Sequence, residues 1–142
     1  MRPPLLALVL ILSACSNKVK SDFVKFQNTV AILNCVVNHK SFQAQVNPET
    51  VTLVVVKNKY YENYWPERIG NFNVVYHQET PERSGTPLPE TPLIYEVTAL
   101  EIKDNAGALS IICRNKKLLQ SYHLIKDGAD WKVVAYQRKK VK

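Results

Sequence analysis

The stretch Tyr122-His123-Leu124-Ile125-Lys126-Asp127-Gly128-Ala129-Asp130-Trp131-Lys132-Val133-Val134 decides how the C-terminal half of this chain folds. Apolar and aromatic residues flank Asp127-Gly128-Ala129-Asp130, whose small and turn-forming side chains predict two strands joined by a tight turn. In the second strand Trp131, Val133 and Ala135 are expected to share one face, with Lys132, Val134 and Tyr136 on the other. Working backwards, Leu93 to Lys103, Ala108 to Asn115 and Leu118 to Lys126 read as further strands, separated by turns at Asp104-Asn105-Ala106-Gly107 and Lys116-Lys117. Consecutive hairpins of this spacing predict an antiparallel meander ending near Arg138.

Further upstream the pattern changes. Phe72 to Gln78 reads as a strand with Phe72, Val74 and Tyr76 on one face, and Glu79 to Pro92 holds four of the eight prolines, which makes it a stiff surface connection. Tyr60, Tyr61, Tyr64 and Trp65 crowd four large aromatics into six residues before Pro66. They are candidate partner contacts, and packing of one side over the sheet accounts for at least half of them equally well. Val51 to Val56 carries two conflicting signals. Asn47-Pro48-Glu49 is helix-start chemistry and favours a helix continuing toward Tyr64, while the β-branched run itself favours a strand. Near the N-terminus, Phe23, Phe26, Val30, Leu33 and Val37 recur at steps of three and four, which predicts an amphipathic helix over Asp22 to Asn38. A helical start followed by a curved antiparallel sheet is an α+β domain with its helices packed on one sheet face.

The very start of the chain is of another kind. Leu12-Ser13-Ala14-Cys15 follows Met1-Arg2 and the apolar run Leu5 to Leu12, and precedes polar Ser16-Asn17-Lys18. This resembles the lipobox of a bacterial lipoprotein signal peptide: a positive start, an apolar core too short to span a bilayer, and small residues before a cysteine. The resemblance implies cleavage before Cys15, a diacylglycerol thioether on its sulfur and an acyl chain such as palmitate on its new amino group. Two or three chains hold a protein stably, because each buried methylene contributes about 0.8 kcal/mol. Residues 1–14 would then be removed, 15–21 would be a lipidated tether, and 22–142 would form one domain. Ser16 rather than Asp after the cysteine implies the periplasmic face of the outer membrane, or the outer face of the plasma membrane in a monoderm source.

Removing residues 1–14 takes away Arg2 and no acid, so 18 basic residues face 12 acidic ones in the remaining 128. Export makes nucleic acid an unfitting partner for this charge, and leaves anionic lipid, acidic polysaccharide or an acidic protein. Arg138, Lys139, Lys140 and Lys142 bunch at the end, where a solvated tail explains them equally. With Cys15 assigned to lipid, Cys35 and Cys113 remain. In an oxidising compartment they form a candidate disulfide, and two buried thiols account for the same apolar surroundings. No Cys/His cluster stands at metal-ligand spacing, and no cofactor motif is present.

The segment Tyr122 to Val134 also resembles the ending of nuclear-transport-factor-2-like domains of the SnoaL-like or cystatin-like type, in which a strand closes on Lys-Asp-Gly and resumes as Trp-Lys-Val. The likeness covers the last third of the chain and implies a cone-shaped sheet around a pocket beneath the helices. Exported members occur in secretion and conjugation assemblies. The function implied is a non-enzymatic binding or adaptor module of the cell envelope that engages a protein partner or a small apolar ligand. One alternative is an isomerase-like enzyme using that pocket, with His123, Tyr122, Tyr95 and Asp22 as acid/base candidates. Another is a periplasmic inhibitor, although Ser84-Gly85 is followed here by Thr86-Pro87-Leu88 rather than by tyrosine.

Replacing Cys15 by Ala is expected to abolish lipid attachment. Detergent-phase partitioning of the variant checks this, and unchanged partitioning would end the lipoprotein reading.

Overall fold

No glycine or proline interrupts residues 5–38, and in the computed structural model this stretch forms one helix, α1 (Leu5–Asn38). The structure describes residues 5–78 and 92–142, with side chains from Lys20 onward, so the Cys15 side chain and most of the proline-rich segment lie outside the described residues. Segment 15–21, expected as a tether, continues α1. A short helix α2 (Lys40–Gln43) follows a corner at His39, whose ring accepts a hydrogen bond from the Ser41 amide at 3.3 Å.

Among the described residues seven strands form one mixed sheet: β1 (Thr52–Lys57), β2 (Arg68–Ile69), β3 (Phe72–Gln78), β4 (Ile94–Lys103), β5 (Ala106–Cys113), β6 (Leu118–Asp127) and β7 (Asp130–Lys140). Their order is β2-β3-β1-β4-β5-β6-β7. From β4 to β7 every pairing is antiparallel, which is the meander that the turn residues predict. The meander is only half of the sheet, because β1 lies between β3 and β4 and is parallel to both.

The position of β1 settles the conflict at Val51 to Val56 in favour of the strand, in place of the favoured helix continuing toward Tyr64. A parallel strand flanked on both sides reads as a near-continuous apolar run, as Leu53-Val54-Val55-Val56 does. The cap chemistry at Asn47 is used for a turn instead: its side chain accepts from the Glu49 amide at 3.1 Å, and its carbonyl accepts from Thr50 at 2.9 Å. Parallel pairing of β1 with β3 has a further consequence. The chain must return the length of the sheet between Lys57 and Phe72, and the aromatic segment is this crossover. Trp65, 5% exposed, and Ile69 anchor it in the core.

Helix α1 buries Thr29, Ile32, Leu33, Val36 and Val37. The expected stripe therefore holds at Leu33 and Val37, while Phe26 and Val30 are half-buried and Phe23 is 57% exposed. Asn28 reaches Lys126 and Trp131 beside the β6–β7 turn, so α1 leaves the sheet there and its earlier turns project past the strand ends. The seat of the helix is Gly107. A Cβ at that position would lie 2.9 Å from Ile32 Cδ1 and 3.2 Å from Trp131 Cζ3. Glycine is needed for close approach and lies within β5, not in the expected turn, because Asp104 and Asn105 alone close the Lys103–Ala106 hairpin.

A register shift between His123 and Leu124 changes the expected alternation in the last strand. Trp131 and Val133 face α1, but beyond the irregularity Tyr136 stands opposite buried Tyr122, and Ala135 stands opposite exposed His123. The candidate disulfide is not formed; both thiols are free. Cys35 donates to the Trp131 carbonyl at 3.2 Å, at the Gly107 end of the sheet. Cys113 lies six residues further along β5 than Gly107, roughly 20 Å for a strand, whereas a disulfide needs Cα atoms within about 7 Å.

Beneath the helices the space is filled. The cavity between α1 and the sheet, lined by Leu33, Phe42, Leu53, Tyr95 and Leu109 among others, measures about 40 Å³, in place of the open pocket that the resemblance implies. Trp131, 6% exposed, closes the Gly107 end, and its indole N–H lies 3.4 Å from Asn28 Oδ1. Trp131→Ala is expected to destabilise the fold by about 3–5 kcal/mol, measured by chemical denaturation; a loss below about 1 kcal/mol would contradict this seat.

Candidate functional site

Where α1 projects past the strands, a cleft of about 530 Å³ opens between it, the crossover and the end of β4. The helix contributes Ser21, Val24, Lys25, Asn28 and Thr29, whose spacing of three and one places them on one side of α1. Lys59, Tyr60, Glu62 and Tyr64 of the crossover form the facing wall, and Leu100, Ile102 and Asp104 the base.

The facing wall is held from beneath. Asn58 donates through its amide to the Val97 carbonyl at 2.7 Å and accepts from the Tyr60 amide at 3.0 Å. Tyr61 packs on Tyr76 at 5.0 Å and Trp65 at 5.9 Å between ring centroids, and the Tyr76 hydroxyl donates to the Pro66 carbonyl at 2.6 Å. Burial raises the Tyr76 phenol well above its ordinary pKa, with Tyr61 and Glu67 adding to the rise, so it stays a neutral donor.

Trp65 is thereby corrected from partner contact to core, and Tyr61 is turned toward Trp65 and Tyr76. Tyr60 and Tyr64 are the two of the four candidate aromatics that line the cleft. Tyr64 meets Phe26 edge-on at 5.2 Å, which ties the wall to the helix. Lys25 and Glu62 come within 3.9 Å; both are well exposed, so the pair contributes less than about 1 kcal/mol.

Thr29 lies at the buried edge of the cleft. The residue is 1% exposed and its hydroxyl has no hydrogen-bond partner. Leaving a buried hydroxyl unpaired costs about 1–3 kcal/mol, a cost the fold bears because this oxygen has next to no accessible surface. Neither Asn28 nor Thr29 is evident as a site residue in the sequence; the only signal is the polar face Ser21, Lys25, Asn28 on a helix whose apolar face lies elsewhere.

The acid/base candidates do not converge. Asp22 is on the exposed part of α1, and His123 is on the sheet face turned away from the helix. Tyr95 and Tyr122 are buried among the core side chains. Around Tyr122 the structure instead assembles a polar cluster that the sequence does not announce. The Ser41 hydroxyl lies 2.6 Å from His39 Nδ1 and 3.3 Å from the Tyr122 oxygen. Gln120, fully buried, donates to the Tyr122 oxygen at 3.0 Å and the Tyr136 oxygen at 3.3 Å. This network fixes the α1–α2 corner onto β6 and β7.

Burial pushes the Cys35 thiol up, against a smaller opposing effect of a backbone hydrogen bond, so it is a poor nucleophile. Among the described residues, no three His, Cys, Asp or Glu side chains are grouped to hold a metal, and no helix is long and apolar enough to cross a membrane. No protein-family model, curated protein or solved structure matches this chain.

Burial pushes the Tyr122 phenol up to about 12, against the opposing hydrogen bonds from Ser41 and Gln120. An unfolded tyrosine ionises near pH 10. The folded state therefore binds the proton more tightly, and stability is intact below pH 10 and falls between pH 10 and about 12. Denaturation midpoints across this range are expected to show that fall, and Tyr122→Phe to reduce it; an identical pH profile in the variant would refute the assignment.

Proposed function

We propose that the chain is an exported, lipid-anchored binding module of the cell envelope, with no chemistry of its own, that holds a partner protein in the cleft beside its anchor. The observation that carries this reading is the cleft itself: an open volume of about 530 Å³ with two tyrosines and charges of both signs in its walls. Ser21 lines it only six residues after Cys15, roughly 9 Å along a helix. A partner bound there would sit close to the membrane to which Cys15 attaches.

The chemistry of the walls suits a polypeptide segment. Tyr60 and Tyr64 offer apolar faces with little conformational entropy to lose, and Lys25, Lys59, Glu62 and Asp104 offer charges of both signs. Asn28 offers its side-chain amide nitrogen to a backbone carbonyl. A small apolar ligand under the helices is the weaker reading, because a cavity of about 40 Å³ has room for little more than a water molecule. A role within a secretion or conjugation assembly is consistent with a module of this kind and rests on the sequence resemblance alone.

A photo-crosslinking residue at Lys59, in cells, is expected to capture an envelope protein. The Tyr60→Ala/Tyr64→Ala variant should reduce capture roughly tenfold or more, with a stability change below roughly 2 kcal/mol for two half-buried side chains. Absence of an adduct at both Lys59 and Ser21, with the protein present at the membrane, would overturn the assignment.

A further inference from the structure

The opposite end of the sheet has a different character. Lys116, Lys117, Arg138, Lys139, Lys140 and Lys142 are all exposed there. The register brings them together: Leu118 stands opposite Lys140, Leu119 opposite Lys139 and Gln120 opposite Arg138, and the Val141 amide donates to the Lys117 carbonyl at 2.9 Å. What reads in the sequence as a solvated tail is thus the end of a paired strand. Among the described residues none of the six is in an ion pair; Lys116 donates to the Gln45 carbonyl, and the nearby Glu96 is bound by Arg114 at 2.7 Å. Six unneutralised cations lie at one end of a chain whose whole formal charge is +7.

Two features adjoin this pole. A trough of about 420 Å³ is lined by Leu119, Ser121, Gln137, Arg138 and Lys139. Among the described residues strand β7 is the margin of the sheet and pairs only with β6, so its other edge from Ala135 to Lys140 presents backbone donors and acceptors without a strand partner there. Lysines that served only to block edge pairing would be spread along the strand. Here Val133 to Gln137 are uncharged, Val134 is well exposed, and two of the cations belong to a different hairpin.

We propose that the pole and the free edge of β7 bind an extended acidic segment of a partner protein, added as a further strand beside Ala135–Lys140. The irregularity at Val134 divides β7 into two regularly paired stretches, of which Ala135–Lys140 carries Arg138, Lys139 and Lys140. Main-chain hydrogen bonds would supply affinity, and carboxylates at alternate positions, which share one face of an added strand, would meet Arg138 and Lys140. An acidic polysaccharide would meet the charge but has no strand to add. This surface is separate from the cleft, and its test does not depend on the cleft's occupant.

The test uses the full chain in detergent with three probes: a ten-residue peptide of alternating Glu and Thr, the same peptide with two Thr replaced by Pro, and heparin. The alternating peptide is expected to bind, to protect amides of Ala135–Lys140 from exchange, and to weaken roughly tenfold as salt rises from about 50 to about 300 mM. Arg138→Glu/Lys140→Glu is expected to weaken it roughly tenfold, and so is Lys117→Glu, which leaves β7 unchanged. Failure of the peptide to bind, equal binding of the proline-broken peptide or of heparin, or indifference to both charge reversals would overturn the proposal.

Discussion

One helix has to cover one face of a seven-stranded sheet, and it does so by resting Ile32 on the backbone of Gly107 against the ring of Trp131. The contact is possible only because β5 offers no side chain at that point. Around it Asn28 binds the indole and Lys126, and Cys35 binds the Trp131 carbonyl, so the β6–β7 hairpin is tied to α1 by hydrogen bonds on both sides of the apolar contact. Since the seat lies close to one end of the strands, the earlier turns of α1 are carried past the sheet. The cleft exists because of this overhang.

The second constraint is the insertion of β1 between β3 and β4. Parallel neighbours cannot be joined by a tight turn, so the chain must return across the sheet, and an aromatic-rich segment makes that passage. Its aromatics divide by role. Trp65 and Tyr61 hold the crossover against Tyr76, and Tyr60 and Tyr64 are left at the opening. The proposed binding surface and its structural support are thus neighbours in sequence. A rigid wall costs little to order when a partner arrives.

The charges are distributed with the same polarity. At the cleft end both signs are mixed, as Lys25 with Glu62 and Lys132 with Asp127 illustrate. The hydrogen bond between Asp127 and Lys132 lowers the carboxyl pKa and raises the ammonium, and because both are fully exposed it fixes their geometry more than it stabilises the fold. At the other end one sign dominates. The two ends of this protein therefore differ in electrostatic character.

Turn chemistry and strand alternation determine the meander from sequence: Asp104-Asn105, Lys116-Lys117 and Gly128-Ala129 mark its turns, because those signals are local and the pairing follows from adjacency. The N-terminal helix is legible for the same reason, and the lipobox-like start is read in the sequence alone. Non-local geometry decided the rest. The run Leu53 to Val56 became a central parallel strand because its neighbours come from distant segments, and Asn47 was free to cap a turn or a helix until that pairing was made. The role of Gly107 depends on a helix some seventy residues earlier, and the faces of Ala135 and Tyr136 depend on an irregularity that strict alternation does not contain. Cys35 and Cys113 share an apolar setting in the sequence, but only the direction of α1 along the sheet places them toward opposite ends. Thr29 and Asn28 became candidate site residues for a like reason: periodicity tells which side of a helix is polar, and only packing tells where that side is buried.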